Sequence, residues 1–512
     1  MLRRCSLSRF FCKSAWPLLA LVVSTSFAAT GLAGAYEFRV RFSEAIRQEP
    51  YTGRVYLFFT KVPQREPREA VDWFHPEPLL ALDVENWKPH ETLEIGASSG
   101  NKLLSIPKPL NDLELTGYRV QAVARFNPDE RRVGKGPGNA FSAVAEIAAS
   151  AEPQTPQELS IDKLVEERPF PENRWFKLLS IRSRILSDFH KRDVSVQGSV
   201  LLPASYYDAP DRRYPVIFEI PGFGGTHLIR QSLEPVQEQN AEGVEFLLVT
   251  LDPSCPLGHH VFADSANNGP VGQSLVSEFI PELDKQFRTV AAPTARFLSG
   301  HSSGGWSSLW LQVAYPEVFG GTWSTSPDPV DFRDFQQINL YRTGENMYRD
   351  PAGARRPLAR NGNQVLLWFD DFDHTEEVLG YGGQLHSFEA VFSPRGADGK
   401  PLRLWNRETG AIDTTLARFW EKYDIRLVLE RQWPELGPRL AGKLHVFQGE
   451  LDTFFLDGAT RLLKDALALL KSDAVVEIVP GKTHFDLLTP ELNQRLRAEI
   501  VQQFLKQHPA GK

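Results

Sequence analysis

Four short segments in the C-terminal two-thirds of this 512-residue chain constrain it most: Gly222-Phe223-Gly224-Gly225, Gly300-His301-Ser302-Ser303-Gly304, Asp452 and His484, in that order. A Gly-x-Ser-x-Gly match is weak by itself, so its context has to decide. Residues 295–299 read as a short buried strand, and Trp306 to Ala314 read as a helix stopped near Pro316, which puts Ser302 on the turn between them. Such a turn is strained and tightly packed, and side chains at 300 and 304 would collide with neighbouring elements, which explains both glycines. The helix that begins here directs its amides and positive dipole end at the serine, and the Ser303 amide is one expected donor to an oxyanion.

The second donor is expected from an earlier loop. Tyr214 to Ile220 reads as a strand running into Pro221-Gly222-Phe223-Gly224-Gly225-Thr226-His227, where Phe223 or Gly224 would supply the amide. Two later strands, 443–447 and 474–479, lead into Gly449-Glu450-Leu451-Asp452 and Pro480-Gly481-Lys482-Thr483-His484. Both loops then leave the carboxyl edge of one sheet, where open α/β sheets carry ligands. Ser302 needs a neutral imidazole to take its proton. His484 needs a carboxylate to fix its tautomer and stabilise the imidazolium, and Asp452 is the expected acid, with Glu450 as the substitute two residues earlier.

These motifs resemble the putative-esterase branch of the α/β-hydrolases, which includes enterochelin-esterase-like, feruloyl-esterase-like and S-formylglutathione-hydrolase-like proteins. Asn268-Gly269-Pro270 and the amphipathic stretch after it are similar to the segment before the elbow in that branch. The glycine-rich loop lacks the leading histidine of an esterase His-Gly-Gly-Gly loop. The resemblance covers residues 176 to 508. It implies an α/β-hydrolase fold and hydrolysis of carboxylic esters without a cofactor, with Ser302, Asp452 and His484 as the triad. It names no substrate beyond a small-molecule or carbohydrate-linked ester, because pocket loops differ between members. A peptidase or an acyltransferase of the same fold would use the same residues, and a non-catalytic binding protein would keep only the fold.

The first 35 residues carry Arg3, Arg4, Arg9 and Lys13 ahead of an apolar run and end in Ala33-Gly34-Ala35. This reads as a cleavable signal, giving a secreted or periplasmic protein that begins near Tyr36 and keeps no stable membrane span; an uncleaved anchor is the alternative. Loss of the leader removes four basic and no acidic residues, so the mature chain is more negative than the −7 of the full sequence, which argues against nucleic acid as a partner. Only Cys255 remains of three cysteines, with no base in its own motif, and an inert thiol is expected.

Residues 36–150 alternate polar and apolar positions without long helical runs, as in Tyr36 to Phe42, 53–59, 118–124 and 141–147, and predict a β-sandwich-like domain. Carbohydrate binding, shaping of the site entrance, dimer formation and plain packing all remain open for it. Residues 151–175, rich in Pro and Glu, read as a linker, and 176–510 as the catalytic domain, opened by a hairpin of 181–186 with 194–203. A polar join of this kind leads to the expectation that a chain starting near Asn173 keeps turnover on a small ester. Residues 327–424 are long enough to form a cap or pocket wall, and Trp405, Trp420 and Trp433 are read as core before rim. The run from Asp370 to Glu377 lacks calcium-loop spacing and reads as a solvated charge run. His259-His260 match no zinc pattern, so neither a metal nor a cofactor is assigned, and the oligomeric state is not legible.

Overall fold

The computed structural model describes residues 36–148, 155–237 and 242–509. The expected signal segment, residues 149–150 at the end of the expected β-domain and residues 151–154 of the expected linker lie outside the described residues.

The N-terminal sheet contains β1 (Glu37–Phe42), β2 (Tyr51–Thr60), β3 (Leu79–Trp87), β4 (Leu93–Gly96), β5 (Leu104–Ile106), β6 (Arg119–Ala124), β7 (Ala140–Ser142), β8 (Ala145–Glu146) and β9 (Gln157–Leu164). Its order is β4-β1-β9-β7-β6-β2-β3-β5, with β8 beside β6. Alternation sends Phe38, Val40 and Phe42 inward while Arg39 and Arg41 reach Glu94 and Glu158 outside. Three strands separate β1 from β2, which would place them about 19 Å apart in a flat sheet. The Phe38 and Phe59 rings nevertheless lie 5.7 Å apart, so the sheet folds over on itself and encloses a core as a sandwich does.

One part of the expected linker is instead a strand. β9 runs parallel to β1 and antiparallel to β7, and it buries Leu159 and Ile161. Its inward face carries so few apolar residues that the flanking Pro- and Glu-rich stretches mask the alternation.

The second sheet consists of β10 (Phe176–Arg182), β11 (Ser195–Leu201), β12 (Val216–Ile220), β13 (Leu247–Leu251), β14 (Arg296–His301), β15 (Gly321–Thr325), β16 (Leu444–Gly449) and β17 (Val475–Val479). It is ordered β10-β11-β13-β12-β14-β15-β16-β17. β11 pairs antiparallel with both neighbours, and every other pairing is parallel. Both faces are buried, with Phe218 and Leu298 in one core and Ile217 and Phe297 in another, so these strands read as continuous apolar runs. This is the α/β-hydrolase sheet, with a smaller N-terminal sheet domain in front of it. The opening hairpin differs from expectation in register: Ser183 accepts the Leu186 amide as an N-cap, so 184–190 form the helix α1 instead of prolonging the strand.

Between β15 and β16 lie a hairpin (Pro357–Asn361 with Gln364–Trp368) and the helices α3 (Phe369–Leu379), α4 (Gln384–Phe392) and α5 (Thr414–Trp420). They pack onto α2 (Ser303–Ala314) through contacts such as Trp306 with Phe392 and Phe392 with Trp420. Trp405 and Trp420 are buried in this core.

The acidic run is not a solvated stretch: it forms α3, and Asp373 and Glu376 are buried. Asp373 accepts from Trp405 Nε1 and Tyr348, while Glu376 accepts the Leu385 and His386 amides. A run of carboxylates shows net charge in the sequence but not the helical face that buries two of them. The C-terminal carbonyls of α3 are in turn satisfied from the other module. Arg54 Nη1 donates to Glu377 and Val378, and the Tyr56 hydroxyl to Leu379.

Candidate active site

Ser302 sits between β14 and α2 at φ 60° and ψ −127°, a conformation uncommon for a residue with a side chain. The surrounding packing holds it there. A Cβ at Gly300 would lie 2.1 Å from the Gly304 carbonyl oxygen, and one at Gly304 would lie 1.9 Å from that of Ile220. The Ser302 amide donates to the Thr325 carbonyl at 3.0 Å, and its own carbonyl accepts from Trp306. The turn is thus pinned to β15 on one side and to the helix on the other.

The glycine-rich loop comes up against this turn, for a Cβ at Gly222 would be 3.2 Å from Ser302 Cβ. Gly224 adopts φ 92°, a left-handed value that favours glycine. The amides of Phe223, Gly224 and Ser303 donate to no acceptor among the described residues. His259 braces the loop from behind. Its Nδ1 accepts the Val261 amide, so Nε2 carries the proton and donates to the Pro221 carbonyl at 2.9 Å. Burial drives His259 down to about 3 and His260 to about 4, so both rings are neutral and structural.

Asp452 follows β16 and is fully buried. Its Oδ2 accepts from His484 Nδ1 at 2.9 Å and from Gln448 Nε2 at 2.9 Å, and Oδ1 accepts the Phe454 amide at 2.8 Å. Donation from His484 Nδ1 leaves Nε2 as the basic nitrogen. His484 follows β17, almost wholly buried, with Phe454 edge-on at 4.9 Å. Ser302 and His484 line one cavity of about 510 Å³, although no hydrogen bond joins them among the described residues. Glu450 points elsewhere: its Oε2 accepts the Gly481 amide and ties the acid and base loops together. His301, 4.7 Å from the His484 ring, is pushed down to about 4 by burial and by its neighbour, and stays neutral.

Two contributors to the cavity escape sequence reasoning. The first is Val71-Asp72-Trp73-Phe74, from the loop between β2 and β3 of the N-terminal sheet. Trp73 packs 5.6 Å from Phe223 and 4.9 Å from Phe372, and Phe74 lies against Phe454 and Phe485, both of which contact the His484 ring. Two adjacent aromatics between strands were the available signal, but their partners are far away in the chain. The second is Asp328, just beyond β15, whose Oδ2 accepts from the Ser303 hydroxyl at 2.6 Å. Burial raises this carboxyl to about 6.

Other flagged groups do not enter the site. Burial pushes the Cys255 thiol up to about 12, which leaves it unreactive. Among the described residues no cluster of three or more His, Cys, Asp or Glu is arranged to hold a metal, and no helix is long and apolar enough to cross a membrane.

A serine on a strained strand-to-helix turn, an imidazole and its carboxylate at the same sheet edge, and this strand order define an α/β-hydrolase. Residues 190–377, which include the serine turn, match the family model described as Putative esterase. Over these residues the hydrolase module is similar to the putative esterases, which supports a carboxylic-ester hydrolase. No curated protein matches the chain. Among solved structures it is similar to a ferulic acid esterase, at 14% identity over 65% of this chain and 100% of that one, with TM-score 0.39. It is also similar to an S-formylglutathione hydrolase from Agrobacterium tumefaciens, at 14% identity over 65% and 94%, with TM-score 0.37. A ferulic acid esterase from Anaeromyces mucronatus is similar at 12% identity over 66% and 94%, with TM-score 0.34.

Proposed function

We propose that the protein is an exported serine esterase that hydrolyses carboxylic esters through an acyl-Ser302 intermediate. The observation that carries this reading is the hydrogen-bonded Asp452–His484 pair opening onto the same cavity as the strained Ser302 turn. His484 Nε2 takes the serine proton as the hydroxyl attacks the ester carbonyl, and Asp452 stabilises the imidazolium. The unpaired amides of Ser303 and of Phe223 or Gly224 receive the oxyanion. His484 then returns the proton to the departing alcohol, and water repeats the sequence to release the acid.

Export rests on the basic and apolar leader and on Ala33-Gly34-Ala35. N-terminal sequencing of exported protein should read from Tyr36 or near it, and an intact Met1 on soluble cytoplasmic protein would refute this part. For the chemistry, a fluorophosphonate probe should label wild-type protein and not Ser302→Ala, with turnover on a panel of acetyl, butyryl and longer acyl esters lost in parallel. Full turnover by Ser302→Ala would overturn the reading.

A further inference from the structure

We infer that the cavity selects esters bearing a cationic nitrogen, held within aromatic walls by Asp328. This deepens the esterase reading and rests on it. The lining carries seven aromatic rings, among them Trp73, Phe223, Phe372 and Phe454. Its full charges are two carboxylates, Asp328 and Asp72, and it includes no lysine or arginine. The Arg131 guanidinium, 5.0 Å from the Phe223 ring centre, is not part of the lining.

Asp328 is about 5% exposed. Its Oδ2 is shared by the Ser303 hydroxyl and Gln384 Nε2, whereas Oδ1 takes no hydrogen bond among the described residues. A carboxylate so far removed from water has lost most of its hydration, and only hydroxyl and amide donors replace it. Its elevated pKa, near 6, reports the same deficit and still leaves it ionised at neutral pH. Asp72 is spoken for in part, since its Oδ1 accepts the Phe74 and His75 amides and lies 3.8 Å from His75 Nδ1.

Aromatic faces attract a desolvated cation and a buried carboxylate completes its charge, whereas an anionic acyl or alcohol group would meet repulsion with no countercharge. A primary ammonium and a quaternary ammonium share this chemistry. They differ in that the first also donates hydrogen bonds to Oδ1.

Two matched series test the inference. One compares para-nitrophenyl esters of an aminohexanoyl chain and its trimethylammonio counterpart with the neutral heptanoyl ester. The other compares butyrylcholine with neutral dimethylbutyl butyrate. In at least one series the cationic ester should exceed its neutral match in kcat/KM by about tenfold. Asp328→Asn, which keeps the size of the side chain and an oxygen for Ser303, should bring that ratio close to one. A wild-type ratio of one or less in both series, or a ratio that Asp328→Asn leaves alone, overturns the inference. If no ester is turned over and Ser302 resists the fluorophosphonate, the esterase reading fails instead. Calorimetry with hexyltrimethylammonium then still decides the pocket chemistry: binding that Asp328→Asn weakens about tenfold supports it, and no binding refutes it.

Discussion

The N-terminal sheet and the hydrolase sheet bury their apolar residues by different rules, and the difference explains where the chemistry sits. In the first sheet every pairing except β1 with β9 is antiparallel, so its loops are scattered over both ends. In the second, the parallel run from β13 to β17 brings strand after strand to an end at one edge. The glycine-rich loop, Ser302, Asp328, Asp452 and His484 all follow strand ends there. The antiparallel sheet lends the cavity lining one loop, which carries Trp73 and Phe74. A parallel sheet concentrates reactive groups, and an antiparallel neighbour can supply shape without supplying chemistry.

The largest effect that tests this division is Ser302→Ala, which removes the proposed nucleophile from the parallel edge. Turnover should fall by on the order of a millionfold, leaving background from the amides and binding. Stopped assays with active-site titration would measure it. Comparable losses from any single change in the antiparallel module would break the comparison.

The second test separates two carboxylates on one loop. Asp452→Asn should lower kcat by on the order of a thousandfold or more, because an amide favours the wrong imidazole tautomer and offers no charge. Glu450→Gln should cost much less, since its observed bond is to the Gly481 amide and not to His484. A crippled Glu450→Gln beside a nearly silent Asp452→Asn would reverse the proposed assignment.

How far the sequence carries follows the same division. Ser302, Asp452 and His484 were legible because each sits just after a compact apolar run, and because glycines mark the places where a Cβ cannot fit. The observed strands depart from the expected ones by a residue or two at most of these ends, which leaves each loop where the pattern put it. Trp73 was not legible, because its partners Phe223 and Phe372 lie in the other module and only folding brings them near. Asp328 follows a buried strand too, yet an isolated Asp has no motif around it. β9 hid behind polar residues, and Asp373 and Glu376 find their partners elsewhere in the chain, Tyr348 and Trp405 for the first and the start of α4 for the second.

The aromatic loop gives the third test and revises the expectation of an independent catalytic domain. A chain starting near Asn173 would lose the loop that packs on Phe223, Phe454 and Phe485, together with Arg54 and Tyr56, which satisfy the end of α3. It should therefore be poorly soluble or show little turnover. Trp73→Ala with Phe74→Ala in the full chain is the finer probe, with kcat/KM falling about tenfold to a hundredfold. Both side chains are half-buried, so stability should drop by only about 1–2 kcal/mol. Unchanged kinetics would reduce the antiparallel module to a passive neighbour.

The smallest effect concerns the helix on which the two modules meet. Glu376 is buried on α3, and desolvation raises its carboxyl to about 7 from an ordinary 4.5, outweighing the amides of Leu385 and His386 that favour its charge. Between these two values the folded protein holds a proton that the unfolded chain has released. The unfolded state binds fewer protons there, so stability falls as pH rises from about 4.5 to about 7 and this contribution is level above it. A single such group gives a slope of at most about 1.4 kcal/mol per pH unit. Glu376→Gln is neutral throughout, keeps an oxygen for the two amides and should flatten that slope. Urea unfolding at several pH values across the window would measure it, with one midpoint shift per pH read for each variant. A wild type and a Glu376→Gln protein with parallel profiles would mean that the carboxylate stays ionised on α3, and that the meeting point of the modules carries a full negative charge.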